Sequence, residues 1–185
     1  MKVNGNGQAK ILTKEELRRL FREGFTSPRD RALFAICLFT GCRISEALAL
    51  KTTDIKAETI TFRKSTTKGK LKTRTVDIDS FLYEFLSEYR PRRSLSGLLF
   101  PGRTPGQPLD RSTADKILKQ ACQSIGIEGA STHSFRRTAL TQMSNGGVPL
   151  RIIQEISGHS DLGVLQRYLE VSPEQRRKAI AMIGF

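Results

Sequence analysis

The side chains of this 185-residue sequence whose types and spacing can do chemistry are two histidines, a few arginines at helix starts, and one late tyrosine. In THSFRRT, residues 132–138, His133 and Arg136 stand three apart at an expected helix start and share a face; Arg137, four from His133, shares it too, so spacing does not choose between the arginines. Arg43 follows Gly41 at another expected helix start, where free backbone N–H groups beside a guanidinium make an anion site. Glu46, three residues on, either holds Arg43 or a nearby histidine in place or is an ordinary first-turn acid favoured by the helix dipole. In GHSDLGVLQRYLE, residues 158–170, nine residues of straight helix would separate His159 from Tyr168 by roughly 13 Å. Ser160-Asp161-Leu162-Gly163 supplies turn chemistry that brings both to one place; otherwise Tyr168 is a core ring behind Leu162, Val164 and Leu165. A guanidinium beside free backbone N–H groups suits an anion such as a phosphate.

The charge points the same way. The net charge is +13 and the pI is about 10.2, which suggests a polyanionic partner, nucleic acid before membrane. The surplus is clustered: residues 59–76 carry six cations and no acid, namely Arg63, Lys64, Lys68, Lys70, Lys72 and Arg74. Arg90, Arg92 and Arg93 form a second cluster in a Pro- and Gly-containing loop. Arg63, Lys64, Lys70, Lys72, Arg74, Arg92 and Arg93 are the expected DNA contacts. Lys68 is either one more solvated or phosphate-contacting lysine, or a flexible proton donor whose pKa neighbouring cations lower. No apolar run approaches the ~18 residues of a membrane span, and MKVNGNGQAK lacks the apolar centre of a signal peptide. Three cysteines without a CxxC pair suggest reduced thiols in a cytosolic protein. With two histidines and no cysteine cluster, no metal site is expected; Asp77 and Asp79, a D-x-D at a strand end, read as solvated.

The elements that must position these groups follow from periodicity. Thr13 to Glu16 is a capping box, with Leu17, Leu20, Phe21 and Phe25 at helical spacing after it. Ser27-Pro28 starts a second helix whose stretch ALFAICLFT is apolar nearly all round, so it is central and buried, with Gly41 as its stop. Ile60 and Phe62, then Val76 and Ile78, switch to a period of two on either side of Gly69, an antiparallel hairpin with Lys68, Lys70 and Lys72 at its tip. Phe81 to Tyr89 is helical again, and residues 90–109 form a long surface connection. Further helices carry Ala114 to Ile125, then Phe135 to Met143 with Thr132 as cap. Another buries Ile152, Ile153 and Ile156 and stops at Gly158, and a last one starts at Ser172-Pro173. The sum is a mainly α domain with a small antiparallel β-sheet (α+β). Residues 1–10 read as a flexible tail or linker remnant and residues 11–185 as a single domain.

Taken in chain order, GCRISEALAL, TTKGKLKTR, THSFRRT and GHSDLGVLQRYLE read R-x-x-E, a lysine in a basic hairpin, H-x-x-R and G-H-x8-Y. From about Leu12 to the C-terminus the chain resembles the catalytic domain of the tyrosine recombinases, the phage integrase family. Type IB topoisomerases share the core chemistry, but the compact spacing is more similar to the integrases. The resemblance implies that Arg43 is the first catalytic arginine and Lys68 the hairpin lysine, for which Lys70 and Lys72 compete because the hairpin is slightly longer than the family's GKGxKxR. It implies that His133 and Arg136 are the H-x-x-R pair, His159 the second histidine, Tyr168 the nucleophile and Glu46 a supporting acid. It further implies site-specific recombination of double-stranded DNA through a 3′-phosphotyrosyl link, independent of metal, ATP and other cofactors. The expected assembly is a tetramer on DNA and a monomer off it, in the cytoplasm (bacterial cytoplasm or nucleoid, or phage-encoded). Most members carry an N-terminal DNA-binding domain where this chain has its ten-residue tail, so an excised catalytic domain or a short member is expected, binding DNA weakly and with steep salt dependence. The competing expectations are a non-catalytic basic DNA-binding or accessory domain of the same fold and, less in keeping with the acids present, a metal-dependent nuclease.

Overall fold

The structure is a computed structural model that describes residues 9–66, 73–89, 97–169, 171 and 173–183. Lys68, Lys70, Lys72, Arg90, Arg92 and Arg93 lie outside the described residues.

Helix α1 (Lys14–Arg19) opens on the expected capping box: the Thr13 hydroxyl accepts from the Glu16 N–H, and the Glu16 carboxylate accepts from the Thr13 N–H. It continues as a π-helical turn over Leu20–Gly24. Helix α2 (Pro28–Thr40) has proline in its first turn, and every residue from Ala32 to Cys37 is fully buried, as its unbroken apolar run requires. Phe34 of α2 stacks between Phe25 (centroids 4.7 Å apart) and Phe135 (5.0 Å) of α6 (Thr132–Asn145). This aromatic sandwich fixes α6 against α2 and forms the centre of the main core. Gly41, at φ +60°, ends α2 in the left-handed region where glycine is favoured, and three residues later the chain enters the short helix α3 (Ile44–Leu48).

Strands β1 (Thr59–Phe62) and β2 (Arg74–Asp77) pair antiparallel, with Ile60 opposite Val76 and Phe62 opposite Arg74. Those four residues form the buried face of the hairpin. Helix α4 (Ser80–Glu88) packs on α2. Asp79, exposed as expected, also caps α4 by accepting from the Leu82 N–H at 2.8 Å. The connection expected at the surface is in part interior. Leu98, Leu99 and Phe100 are buried, the Tyr89 ring stacks on Phe100, and the Tyr89 hydroxyl donates to the Leu99 carbonyl. The apolar triplet outweighs the proline and glycine around it. Helix α5 (Arg111–Ser124) follows, capped by Asp110.

Helix α6 begins with Ser131, not Thr132, at its cap. Helices α7 (Leu150–Ser157) and α8 (Leu162–Gln166) then close on α6 through a second apolar cluster of Leu140, Ile153 and Leu165, with Tyr168 packed against it. Ile153 is buried as expected, whereas Ile152 is about half exposed. Helix α9 (Pro173–Ala181) buries none of its described residues, and Ile180, Met182 and Ile183 are exposed. No helix among the described residues is long and apolar enough to cross a membrane.

Candidate active site

The site forms where three chain reversals meet. The first is the α2–α3 turn. Arg43 caps α3, and its backbone N–H donates to Glu46 Oε2 at 2.8 Å while its guanidinium lies 3.4 Å from Oε1. Glu46 is almost wholly buried, with 1% of its side chain exposed, against 23% for Arg43. It therefore holds Arg43 from beneath and is no solvated first-turn acid. Arg74 of β2 grips the same carboxylate, with Nη2 3.1 Å from Oε2 and Nη1 3.5 Å from Oε1. Burial pushes the Glu46 carboxyl up, but the Arg74 guanidinium and the Arg43 N–H outweigh it and hold the group below the ordinary carboxylate range.

The second reversal is the start of α6, which sends Arg136 and Arg137 to different places. Arg136 is fully buried: its Nη1 donates to the Gly41 carbonyl and, at 2.9 Å, to the Ser157 carbonyl. Its Nη2 lies 2.9 Å from Nε2 of His159. The Nε–H is buried and has no hydrogen-bond partner among the described residues. Desolvation, then the neighbouring Arg43, lowers the Arg136 pKa to about 10, so the group is still a cation at neutral pH. Arg137 instead reaches back to the Ala9 carbonyl. Geometry thus separates two arginines that spacing left equivalent.

The third reversal runs from α7 to α8. Gly158, at φ +68°, ends α7 and delivers His159 inward, and Asp161 caps α8 by accepting from the Gly163 N–H. The turn brings the His159 and Tyr168 rings to 5.2 Å, where a continuous helix would hold them apart. The Arg136 guanidinium carbon lies 5.8 Å from the Tyr168 ring centre, and Thr141 fixes the Tyr168 carbonyl at 3.1 Å. Tyr168 itself is half-buried, packed on the second apolar cluster. His159 is buried; desolvation first, then Arg136, Arg43 and Arg74, push its pKa down to about 3, so the imidazole is neutral. A guanidinium only donates, and Nη2 lies 2.9 Å from Nε2 and 3.1 Å from Nδ1; with the nearer Nε2 as acceptor, Nδ1, 2.8 Å from the Ser157 hydroxyl, carries the proton. That hydroxyl both donates and accepts, so it supports the other tautomer as well.

Arg43, Arg74, Gly158 and His159 edge one open cleft of about 1050 Å³. Three guanidiniums face one carboxylate and a neutral imidazole, leaving two uncompensated positive charges in a largely desolvated place. Such a cluster stabilises an anion, most of all one whose charge grows during reaction. Among the described residues there is no group of three or more His, Cys, Asp or Glu side chains that could hold a metal ion.

Of the expected residues, Arg43, Glu46, Arg136, His159 and Tyr168 come together here, and His133 stands exposed on the first turn of α6. Arg74 was expected among the DNA contacts; its side chain is 7% exposed and paired with Glu46, so it belongs to the site's support and not to the basic surface. Arg63 also turns inward, 2.9 Å from Asp54 and donating to the Ala49 carbonyl, while Lys64 is exposed. Ser157 and the Gly41 carbonyl, which orient His159 and Arg136, carried no signal in the sequence. Arg74 did: it alternates with Val76 and Ile78 and so shares their inward face.

The order of these groups and the helical scaffold define a site of the tyrosine recombinase class. Residues 10–175 match the phage integrase family, and the chain belongs to that family. Tyrosine recombinase XerA of Thermococcus onnurineus (strain NA1) is 33% identical over 174 residues, covering 92% of this chain and 61% of that relative. The fold is that of the crystal structure of XerA recombinase, at a TM-score of 0.80 and 22% identity over 97% of this chain and 65% of that one. The XerH site-specific recombinase bound to palindromic difH substrate, a post-cleavage complex, matches at a TM-score of 0.76 and 25% identity over 97% of this chain and 54% of that one. The chain therefore spans about three fifths of the length of the curated relative.

Proposed function

We propose that this chain cleaves and rejoins double-stranded DNA at specific sites, with Tyr168 as nucleophile. The observation that carries this is the Tyr168 ring packed 5.2 Å from a buried neutral imidazole and beside Arg136, whose buried Nε–H has no partner among the described residues. Arg136 lies behind the cleft lining, and when it turns towards the cleft a non-bridging phosphate oxygen satisfies that donor.

The Tyr168 oxygen attacks the scissile phosphorus, forming the tyrosyl O–P bond as the bond to the 5′-oxygen breaks, which leaves a 3′-phosphotyrosyl link. His133 accepts the phenol proton and Lys68 gives one to the leaving 5′-oxygen. Charge on the phosphoryl oxygens grows from one towards two in the pentacovalent state, and Arg43 and Arg136 meet it. His159 adds a neutral ring N–H when Arg136 turns to the phosphate and Ser157 switches to donating. The phosphodiester energy stays in the tyrosyl link, so a second strand's 5′-hydroxyl religates it without ATP or metal. Lys64, Lys70, Lys72, Arg92 and Arg93 supply phosphate contacts, making affinity salt-dependent. Four copies on two duplexes in the cytoplasm are the working assembly, with the exposed Ile180 of α9, and Met182 and Ile183 just after it, open to a neighbouring copy.

The test uses a nicked duplex carrying the recognition site, incubated in EDTA and resolved under denaturing conditions. The expected result is a covalent protein–DNA adduct on the 3′ side that Tyr168→Phe abolishes while DNA binding remains. An adduct that survives in Tyr168→Phe removes Tyr168 as nucleophile. Binding without any adduct makes the chain an accessory domain, and Mg²⁺-dependent free ends make it a nuclease.

A further inference from the structure

Arg74 sits where a hairpin facing a core ordinarily places an apolar residue. Its guanidinium lies 4.3 Å over the Phe62 ring, its cross-strand partner, and contacts three elements that carry the site. Both terminal nitrogens reach Glu46, which holds Arg43. The Nε–H donates to the Ile156 carbonyl at 3.0 Å, in the last turn of α7. The flat of the guanidinium lies on Gly158: a Cβ there would meet Nη1 at 2.9 Å and Cδ and Cζ at 3.1 Å. Gly158 is the left-handed residue that delivers His159. One side chain thus ties the strand leading out of the lysine-bearing hairpin to the supports of Arg43 and His159.

We propose that Arg74 is a positioning residue for strand cleavage, acting through Glu46 on Arg43 and through the Ile156–Gly158 turn on His159 and touching no DNA itself. This rests on the functional reading above. The physical reason is the sharing of one carboxylate. With Arg74 present, Glu46 divides its two oxygens between two guanidiniums, and Arg43 keeps donors for a ligand. Without it, the buried carboxylate has Arg43 as its remaining side-chain ion pair and draws that guanidinium down, away from the cleft. The turn before His159 loses its only side-chain donor to Ile156 among the described residues and the surface it rests on. Displacement of a positioned group by about 1 Å is enough to cost about 10²-fold in rate.

The experiment compares Arg74→Met, Arg74→Lys, Glu46→Gln and the Glu46→Gln/Arg74→Met pair in the full chain. Three quantities are read: adduct formation at saturating protein on the nicked duplex, the Kd for that duplex, and the His159 ring titration by NMR. Arg74→Met is expected to slow saturated adduct formation about 10²-fold with Kd within about 3-fold. Arg74→Lys, which keeps the charge and loses the fork, falls between. Loss of Arg74 in the Glu46→Gln background costs under about 10-fold, because coupled groups are not additive. The groups facing His159 are Arg43, Arg74, Arg136, Ser157 and Tyr168, and removal of Arg74 raises the His159 pKa above its value of about 3. A Kd weakened 10-fold or more with an unchanged saturated rate overturns the proposal and makes Arg74 a phosphate contact. Where Arg74→Met does not fold, Arg74→Lys and the neutralised pair, which leaves no orphaned charge, carry the comparison. If the parent chain forms no adduct at all, the functional reading fails instead. The His159 titration then still judges Arg74: an unchanged value in Arg74→Met, where both the neighbouring cation and the support of the turn are gone, overturns its positioning role.

Discussion

Replacing Arg136 with lysine separates what the guanidinium does for the fold from what it does for the phosphate. Arginine spends Nη1 on the Gly41 and Ser157 carbonyls and Nη2 on His159, and keeps a buried Nε–H in reserve. A lysine ammonium placed on the two carbonyls has no fork left for a phosphate. Losing one positioned donor to developing charge costs about 3–4 kcal/mol, so Arg136→Lys should slow adduct formation about 10²- to 10³-fold at saturating protein. The fold should suffer less. The bond to His159 is lost, at about 1–2 kcal/mol, and each kcal/mol moves the melting midpoint of a chain this size about 2–4 °C. The expected pattern is a melting midpoint lower by roughly 2–8 °C beside a cleavage defect of at least two decades. Affinity for the duplex should change little, since Arg136 is buried and the proposed phosphate contacts lie on other cations. Single-turnover adduct formation, a thermal melt and a Kd on the same preparations measure all three. A folded Arg136→Lys protein that cleaves within about 3-fold of the parent would show that the fork never engages the phosphate.

Two further outcomes follow from the same geometry. His159 is neutral when folded, with a pKa of about 3 against 6.5 for the free side chain, so the unfolded chain takes up a proton that the folded one refuses. Its contribution to stability is therefore complete above about pH 6.5 and falls as the pH drops towards 3; urea midpoints at pH 7 and pH 4.5 should differ less in His159→Gln than in the parent, and equal differences would refute the assignment. Gly158→Ala puts a side chain at φ +68° and its Cβ within 3.1 Å of a thrice-held Arg74. About 1–2 kcal/mol of backbone strain plus the steric displacement should lower the melting midpoint by at least about 4 °C and slow cleavage through His159, whereas parent-like values in both would show that the turn is not held as described.

Much of the site could be read from the sequence because its groups sit at element boundaries that local chemistry marks. Gly41 before Arg43, and the turn residues between His159 and Tyr168, announce chain reversals, and reversals are what bring distant groups to one place. The rest depends on contacts between elements. Arg136 finds its carbonyl partner 95 positions away at Gly41, and Arg74 finds Glu46 28 positions away. No spacing rule connects such pairs. Arg74 counts with the basic cluster by charge, whereas its period of two with Val76 turns it inward, where its side chain is 7% exposed and paired with Glu46. Leu98 to Phe100 were misplaced by the opposite habit, in which flanking proline and glycine spoke louder than three apolar residues. Ile152, next to the buried Ile153 on α7, lies outside the small second apolar cluster and is about half exposed.

The buried cations also explain why this corner of the molecule leans on so firm an aromatic centre. Burial pushes the Arg136 pKa down from its ordinary value to about 10, which corresponds to about 3 kcal/mol against the charged form. The Nε–H, without a hydrogen-bond partner among the described residues, adds about 1–3 kcal/mol. A neutral side chain of the same shape would avoid both, and the single carboxylate of Glu46 does not cancel three guanidiniums. The arrangement persists because α6 is anchored elsewhere: Phe135, one residue before Arg136, is locked into the stack with Phe34 and Phe25. Adjacent residues on one helix thus face opposite demands. The ring is satisfied by the core, and the guanidinium is held by that same core in a place it would leave if free. An anion entering the cleft relieves the strain, and one carrying two charges relieves it more than one carrying a single charge. In the proposed reaction that difference would favour the pentacovalent state over the bound substrate, which is the requirement for acceleration as distinct from mere binding.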